Sequence, residues 1–332
     1  MRLLVELSGE HPTLPHAELS AVCESVGGTV VERDGTVAVV EVPDGQERAL
    51  ARLGLAHAVS AHWWSTAATP RVIVPPFGRV DLKGASFAVR ARRAEGAHPE
   101  LPLSDTVRAV GAILAPSGRV DLAKPDVEIR LIVSQEAHVG ASLYEVDRKA
   151  LDARHPKRRA HFAPVSLHPR YARALVNLAG ARPGDRVADP FAGTGGLLIE
   201  AGLLGARVLG GDIDPRMVEG TRATLEGFGI ADARLEARDV AELPAWTGGG
   251  LDVVVSDPPY GRSSTTMQEP LRALYERFLD AAHAALKPGG RLAVIFPSSE
   301  LRDLAAARFR LLGAHDQRVH RSMTRYWGVF ER

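Results

Sequence analysis

Four short apolar runs between residues 186 and 257 each end on an aspartate: RVAD at Asp189, ARVLGG before Asp212, ARLEAR before Asp239 and LDVVVS before Asp257. Stretches with helical periodicity, such as PRMVEGTRATLEGF, separate these runs, and EPLRALYERFLDAAHAAL follows the last. Strands alternating with helices in this way build βαβ units and a mainly parallel sheet. GGRLAVIFP (289–297) adds a fifth strand after the turn Lys287-Pro288-Gly289-Gly290. Ligands of such open sheets sit outside the carboxyl ends of the strands, where all four acids fall. Any one of these acids reads equally as a helix cap or turn residue. Four at successive strand ends read as a site.

The last acid opens Asp257-Pro258-Pro259-Tyr260. Prolines fix the backbone and a tyrosine offers a stacking face. The Asp257 carboxylate and the Pro258 carbonyl can both accept hydrogen bonds from an exocyclic amine. The four residues together suit holding a flat, amine-bearing ring while the amine reacts. Alone they would also fit a strand-ending turn.

The first acid opens a glycine-rich loop, RVADPFAGTGG, followed by the helical LLIEAGLL. Glycines here allow a sharp turn and close backbone approach to a ligand, at a helix start where N–H groups point outward. The spacing departs from the dinucleotide fingerprint, whose third glycine would fall at Leu198. No Lys-Ser/Thr follows the glycines, which removes a Walker loop. Asp212, at the tip of the second strand, is placed to accept both ribose hydroxyls, and Asp239 an adenine amino group.

On these motifs the carboxyl-terminal region resembles the S-adenosylmethionine-dependent Rossmann-like (class I) methyltransferases of the amino-methylating kind. The resemblance implies an α/β fold with a mainly parallel seven-stranded sheet of order 3-2-1-4-5-7-6, strand 7 antiparallel. FRLLGAHDQRVHRSMTRYWGVFER would supply strands 6 and 7 as a terminal hairpin. It further implies that Asp189, Phe191, Gly193, Thr194 and Gly195 wrap the methionine part of the cofactor. Asp212 and Ile213 would hold the ribose, Asp239 and Val240 the adenine, and Asp257, Pro258 and Tyr260 the target base.

At 332 residues the chain has room for two or three domains. No apolar run reaches the roughly 18 residues of a membrane span, and MRLLVELSGEHP lacks a signal-peptide pattern. The single cysteine, Cys23, excludes an internal disulfide or a thiolate zinc site and reads as a small buried hydrophobe; no metal ligand set is read elsewhere. A cytoplasmic location follows. Net charge is only +1, but residues 153–184 carry seven basic side chains and no acid. Such a one-sign run is either a solvated face or a surface for a phosphate backbone.

Before the methyltransferase region the chain reads as α+β. MRLLVELSG is a strand and LPHAELSAVCESVG a helix. GTVVER and TVAVVEVP pair across Asp34-Gly35; QERALARLGLA is a helix and HAVSAHWW a strand. A second portion runs from SFAVRARR through the helix LSDTVRAVGAIL to the pair DLAKPDVEIRLIVSQE and HVGASLYEVDR. This portion resembles a THUMP domain, an RNA-binding module of tRNA-modifying enzymes. The expected divisions are a ferredoxin-like domain over 1–68, a THUMP-like domain over 69–152, a basic linker over 153–170 and the methyltransferase over 171–332.

Over its whole length, from ELSGEHPTLPHAEL through RKALDARHPKRRAHFAPVSLHPRYARALVNLAG to DPFAGTGGLLIEAGLLGARVLGGDIDPRMVEG, the chain resembles the archaeal tRNA guanosine-10 N2-methyltransferases. The resemblance implies tRNA as partner, with Arg90, Arg92, Arg154, Lys157, Arg158 and Arg159 as candidate RNA contacts. Ser166 and Leu167 would lie near the cofactor. The weak net charge departs from a strongly basic tRNA binder, and eukaryotic relatives use a small zinc-binding activator subunit. Gly261 and Arg262 to Thr266 read as a substrate loop or a plain surface loop. Other substrates stay open on the residues alone: another tRNA position, guanine in rRNA, or adenine in DNA. A non-catalytic RNA-binding or chaperone protein with the same fold is the alternative of another class.

Overall fold

The computed structural model describes residues 1–156, 166–261 and 269–332. Two compact units divide the chain. Met1–Glu10, Val26–Ala51 and Ala56–Val146 form the first; His11–Ser25, Arg52–Leu55 and Asp147–Arg332 form the second.

The first unit carries β1 (Arg2–Leu7), β2 (Thr29–Asp34), β3 (Val37–Glu41), β4 (Ala56–Ala67), β5 (Ser86–Arg93), β6 (Arg119–Val120), β7 (Val127–Val133) and β8 (Glu136–Glu145). Helix α1 (Leu14–Ser25) follows β1 but belongs to the second unit, whereas α2 (Pro70–Ile73) and α3 (Leu103–Leu114) stay in the first. The strands make one sheet in the order β2-β3-β1-β4-β8-β7-β5-β6. It therefore runs through both amino-terminal sequence regions, joined where β4 pairs antiparallel with β8. Thr106, Val110 and Leu114 repeat at helical spacing on the buried side of α3, and Val110 and Leu114 join a core with Phe77, Phe87 and Leu131. The helix expected over QERALARLGLA is only a 3₁₀ turn, Glu47–Arg52. The backbone N–H groups of Gly54 and Leu55 donate to the Glu18 carboxylate instead, at 2.7 and 2.9 Å. That leaves no helical ladder to continue.

The second unit continues with α4 (Arg148–Ala153), α5 (Pro169–Leu178), β9 (Arg186–Asp189), α6 (Gly196–Gly202), β10 (Arg207–Asp212) and α7 (Pro215–Gly227). After these come β11 (Arg234–Ala237), α8 (Leu243–Thr247), β12 (Leu251–Ser256), α9 (Leu271–Ala285), β13 (Leu286–Phe296), α10 (Ser299–Ala306), β14 (Arg310–His320) and β15 (Met323–Glu331). The sheet order is β11-β10-β9-β12-β13-β15-β14. β9 to β13 are parallel, and β15 runs antiparallel to both β13 and β14. That is the expected 3-2-1-4-5-7-6 arrangement, with the terminal hairpin inserting its second strand first. Side chains alternate between two cores as strand geometry requires. Val187, Val253, Val255 and Ile295 face α5 and α6, while Ala188, Val254, Leu292 and Phe296 face α9. Burial on both faces is why these strands read as continuous apolar runs. Among the described residues no helix is long and apolar enough to cross a membrane. Cys23 is buried and unpaired, and burial pushes its thiol up to about 11.

Candidate functional site: the carboxyl ends of the parallel strands

Asp189 ends β9 and is 2% exposed. Its carboxyl accepts the Phe191 N–H at 3.0 Å and the Ser256 hydroxyl at 2.7 Å. Burial outweighs those bonds and, with Asp257 and Asp212 nearby, pushes the group up to about 7. The folded chain thus keeps a proton that the unfolded chain releases near pH 4. This contribution to stability is complete below that pH and is lost as pH rises through about 7. Replacement by Asn should therefore become progressively more favourable, relative to wild type, between pH 5 and 8. Melting midpoints of the two proteins across that range measure it, and a constant difference would contradict the shift.

From Asp189 the chain turns through Pro190 and Phe191 to Gly193 and Gly195, both left-handed at φ +51° and +76°. The Gly193 N–H donates to Asp212 Oδ2 at 3.0 Å, and its carbonyl accepts the Thr221 hydroxyl at 2.6 Å. A Cβ at Gly195 would lie 2.9 Å from Thr221 Cγ2, whereas at Gly193 it would meet nothing nearer than 3.9 Å. The loop is therefore closed on its Thr221 side and open on the other, a cradle of the kind a ligand fills. Phe191 packs edge-on against Phe278 at 5.3 Å, and Thr194 is buried with its hydroxyl 3.3 Å from that of Ser166.

Asp212, the end of β10, also accepts the Asp214 N–H at 3.0 Å. Burial, acting against these bonds, holds its carboxyl above the usual range. Backbone donors fix both oxygens, and a carboxylate has lone pairs enough to accept further bonds. Ile213 beside it is exposed. β11 stops at Ala237, so Asp239 caps the 3₁₀ turn Val240–Glu242 through the Ala241 N–H at 2.8 Å. It also pairs with Arg277, which holds Glu269 as well. Burial raises the Asp239 carboxyl, but the bonds from Arg277 and Ala241 outweigh it and lower the group. Val240 is buried.

Asp257 follows β12 directly. The Tyr260 hydroxyl donates to its Oδ1 at 2.6 Å, and Pro258 is buried. Burial raises the Asp257 carboxyl against the opposing pull of Arg325 and Tyr260. Burial, then the carboxylate, keep the Tyr260 hydroxyl protonated far above its ordinary range. Ser256 joins the two halves of the site, bonding to Asp189 while it directly precedes Asp257.

The structure thus brings Asp189, Gly193, Thr194, Gly195, Asp212, Asp257 and Tyr260 to one edge of one sheet. Ser256, Thr221, Arg277, Arg325 and the buried Tyr275 were not read from the sequence. Burial, then Tyr260 and Asp257, keep the Tyr275 hydroxyl protonated well above its ordinary range, and that hydroxyl has no hydrogen-bond partner among the described residues. Only Ser256, adjoining the motif, carried a local signal. A separate concavity of about 260 Å³ opens at the strands' amino ends; there Lys287 pairs with Asp252 and Arg291 with Glu24.

The candidate RNA contacts are placed differently. Arg90 and Arg92 lie on β5, where Arg90 is 3.7 Å from Glu128 and Arg92 3.6 Å from Glu6, in a ladder continued by Arg130 and Glu145. Arg154 is turned inward, its guanidinium donating to both Glu200 oxygens at 2.7 and 3.0 Å. Arg173 bonds the same carboxylate at 2.9 Å, and Arg170 reaches Asp152 at 3.0 Å. Part of the one-sign run is therefore neutralised by Asp152, just before it, and by Glu200, well beyond it in sequence. Lys157, Arg158 and Arg159 lie outside the described residues, as do Arg262 to Thr266.

Comparison with known proteins agrees with this geometry. Residues 156–326 match the family model described as RMKL-like, methyltransferase domain. The tRNA (guanine(10)-N2)-dimethyltransferase of Methanothermobacter thermautotrophicus is 38% identical, with 100% of both chains covered. Its namesake from Pyrococcus abyssi is 36% identical over 98% of each. Among solved structures, TrmN from Thermus thermophilus aligns over 100% of both chains at 29% identity with a TM-score of 0.57. The glycine loop, the strand-end acids and the Asp-Pro-Pro-Tyr turn lie in a chain that aligns from end to end with these relatives: it is a member of the tRNA (guanine(10)-N2)-dimethyltransferase family.

Proposed function

We propose that this chain transfers methyl groups from S-adenosylmethionine to the 2-amino group of a guanosine in tRNA, at position 10, and adds one or two. The observation that carries the reading is Asp257-Pro258-Pro259-Tyr260 at the tip of β12, tied through Ser256 to the Asp189 loop. Two full-length relatives bear the corresponding name.

The residues fit the donor: the Gly193 turn has open space beside it, and Asp212 at the next strand end keeps capacity to accept further hydrogen bonds. Asp189 to Gly195 would hold its methionine part, Asp212 and Ile213 its ribose, and Asp239 and Val240 its adenine. When bound, it supplies a methyl group on a sulfonium, which needs little activation. Asp212→Ala should weaken donor affinity about 10–150-fold, the value of one or two charge-assisted hydrogen bonds. Calorimetric titration with S-adenosylmethionine reads it, and an unchanged Kd would remove Asp212 from the site.

The protein's task is alignment, which supplies up to roughly 7–11 kcal/mol in well-oriented reactions. A guanine amino group is a weak nucleophile because its lone pair is delocalised into the ring. Asp257 and the Pro258 carbonyl accept from its two N–H bonds, which turns the nitrogen toward tetrahedral geometry and frees the lone pair. Asp257 then takes or relays the proton lost on transfer. Tyr260, now hydrogen-bonded to Asp257, exchanges that bond for stacking on the incoming base, offsetting the few kcal/mol of extrusion from the helix. We assign the RNA grip to the THUMP-like region 69–152, supported by the exposed parts of Arg90 and Arg92, and to Lys157, Arg158 and Arg159 of the basic run, and a cytoplasmic setting follows from a tRNA substrate.

The test is methyl incorporation by the purified chain into an unmodified tRNA transcript, with a second transcript carrying adenosine at position 10. Methylation of the first alone supports the reading and dispenses with an activator subunit. Equal methylation of both discards position 10. No product on either, with donor bound, overturns the substrate or calls for a partner.

A further inference from the structure

Arg325 lies on β15, and the register of the sheet sets its height. Ser256 pairs with Val294 of β13, Val294 with Gly328, and Phe296, the end of β13, with Tyr326. Asp257, one step past Ser256, is level with Ile295 and Trp327, so Arg325 stands just past the tip of β13, beyond that level by a distance a long side chain can span. It is the cation that acts on both Asp257 and Tyr260. Its Nε is buried and has no hydrogen-bond partner among the described residues. A buried donor left unpaired is costly, so a bound acceptor at this point would recover that cost.

Guanine presents such an acceptor. Its Watson–Crick edge runs from O6 through N1–H to the 2-amino group. A carboxylate can take N1–H and one amino hydrogen through its two oxygens, leaving the other amino hydrogen for the Pro258 carbonyl. The atom beyond N1 is then O6, and the side chain beyond the acid is a guanidinium, a strong donor to carbonyl oxygens. We propose that Arg325 is a specificity-determining residue that donates to O6 of the target guanine while Asp257 reads N1–H and the 2-amino group. In the same orientation adenine would present its own amino donor to Arg325, so the arrangement selects against adenine as well as for guanine. The inference rests on the reading of this site as an N2-guanine methyltransferase.

The test compares wild type and Arg325→Ala under single turnover on two transcripts, one with guanosine and one with 2-aminopurine at the target. 2-Aminopurine keeps the 2-amino group but lacks O6 and, with it, N1–H, so the comparison is between wild type and variant on the same transcript. Arg325→Ala should slow guanosine methylation roughly 10–100-fold, as expected for one good base-reading contact, and leave the 2-aminopurine rate within about threefold. Donor affinity measured by titration should be unchanged in the variant, which shows that it is folded. An equal loss on both transcripts overturns the proposal in favour of a role through Asp257 or the phosphate backbone. No loss on guanosine overturns it outright. If wild type leaves 2-aminopurine unreacted, inhibition by an inosine transcript, which keeps O6 and N1–H, decides. Its Ki should rise in the variant by the guanosine factor, and an unchanged Ki overturns the proposal. Failure of wild type on guanosine itself would instead reject the underlying function.

Discussion

Asp257→Ala should lower the rate of methyl transfer by about 10²–10⁴-fold, the range typical of losing a positioned acid–base group. Two things disappear with the carboxylate: an acceptor that orients the amine, and the destination of the proton. Asp257→Asn keeps an acceptor oxygen but cannot take the proton, so it should fall between wild type and Ala. Neither change removes a hydrogen bond from the glycine loop, because Asp189 is held by Phe191 and Ser256 and Gly193 by Asp212 and Thr221. Donor affinity should therefore stay within a few-fold of wild type. Single-turnover rates with saturating tRNA, alongside donor titration, separate the two effects. A variant that loses donor binding in proportion to rate would place Asp257 in the cofactor site instead.

Glu200→Ala should be strongly destabilising to the second unit. Glu200 is fully buried on α6, and its two oxygens hold Arg154 and Arg173. Arg173 is itself only 7% exposed, and burial lowers its guanidinium even with Glu200 present. Removing the acid leaves a buried cation without its counter-charge, which costs about 3–5 kcal/mol. For a unit of this size the melting midpoint should fall by roughly 10 °C. Glu200→Gln retains hydrogen-bond acceptance and should lose less. A Glu200→Ala midpoint within about 2 °C of wild type would mean that water or rearrangement satisfies Arg173.

These two predictions differ in how far the sequence could support them. The Asp257 motif was legible because its chemistry is local: an acid, two prolines and a tyrosine at the end of an unbroken apolar strand. The parallel strands were legible for a related reason, since strands buried on both faces read as continuous apolar runs; their order came from the family resemblance and not from the pattern. Glu200 was not legible. It is one acid within LLIEAGLL, and its partners Arg154 and Arg173 lie in a segment that reads as a basic run for phosphate. Only the packing of α6 against α5 shows that part of this charge is internal. Helix α1 is similar. It lies between strands of the first unit, yet Glu18 accepts from Asn177 of α5 at 2.6 Å as well as from Gly54 and Leu55. A reading by contiguous segments has no means to express that. Arg325 escaped for a third reason: it reaches the site through a strand inserted antiparallel at the end of the chain, with no motif around it.

The central claim is that the carboxyl ends of β9 and β12 methylate the 2-amino group of guanine in tRNA. The most direct measurement is nucleoside mass analysis of an unmodified tRNA transcript after incubation with the protein and S-adenosylmethionine, beside Asp257→Ala. The account predicts N2-methylguanosine or N2,N2-dimethylguanosine with wild type and, over the same time, at most about a hundredth as much with the variant. N6-methyladenosine, methylation at another guanine atom, or equal product from the variant would contradict it.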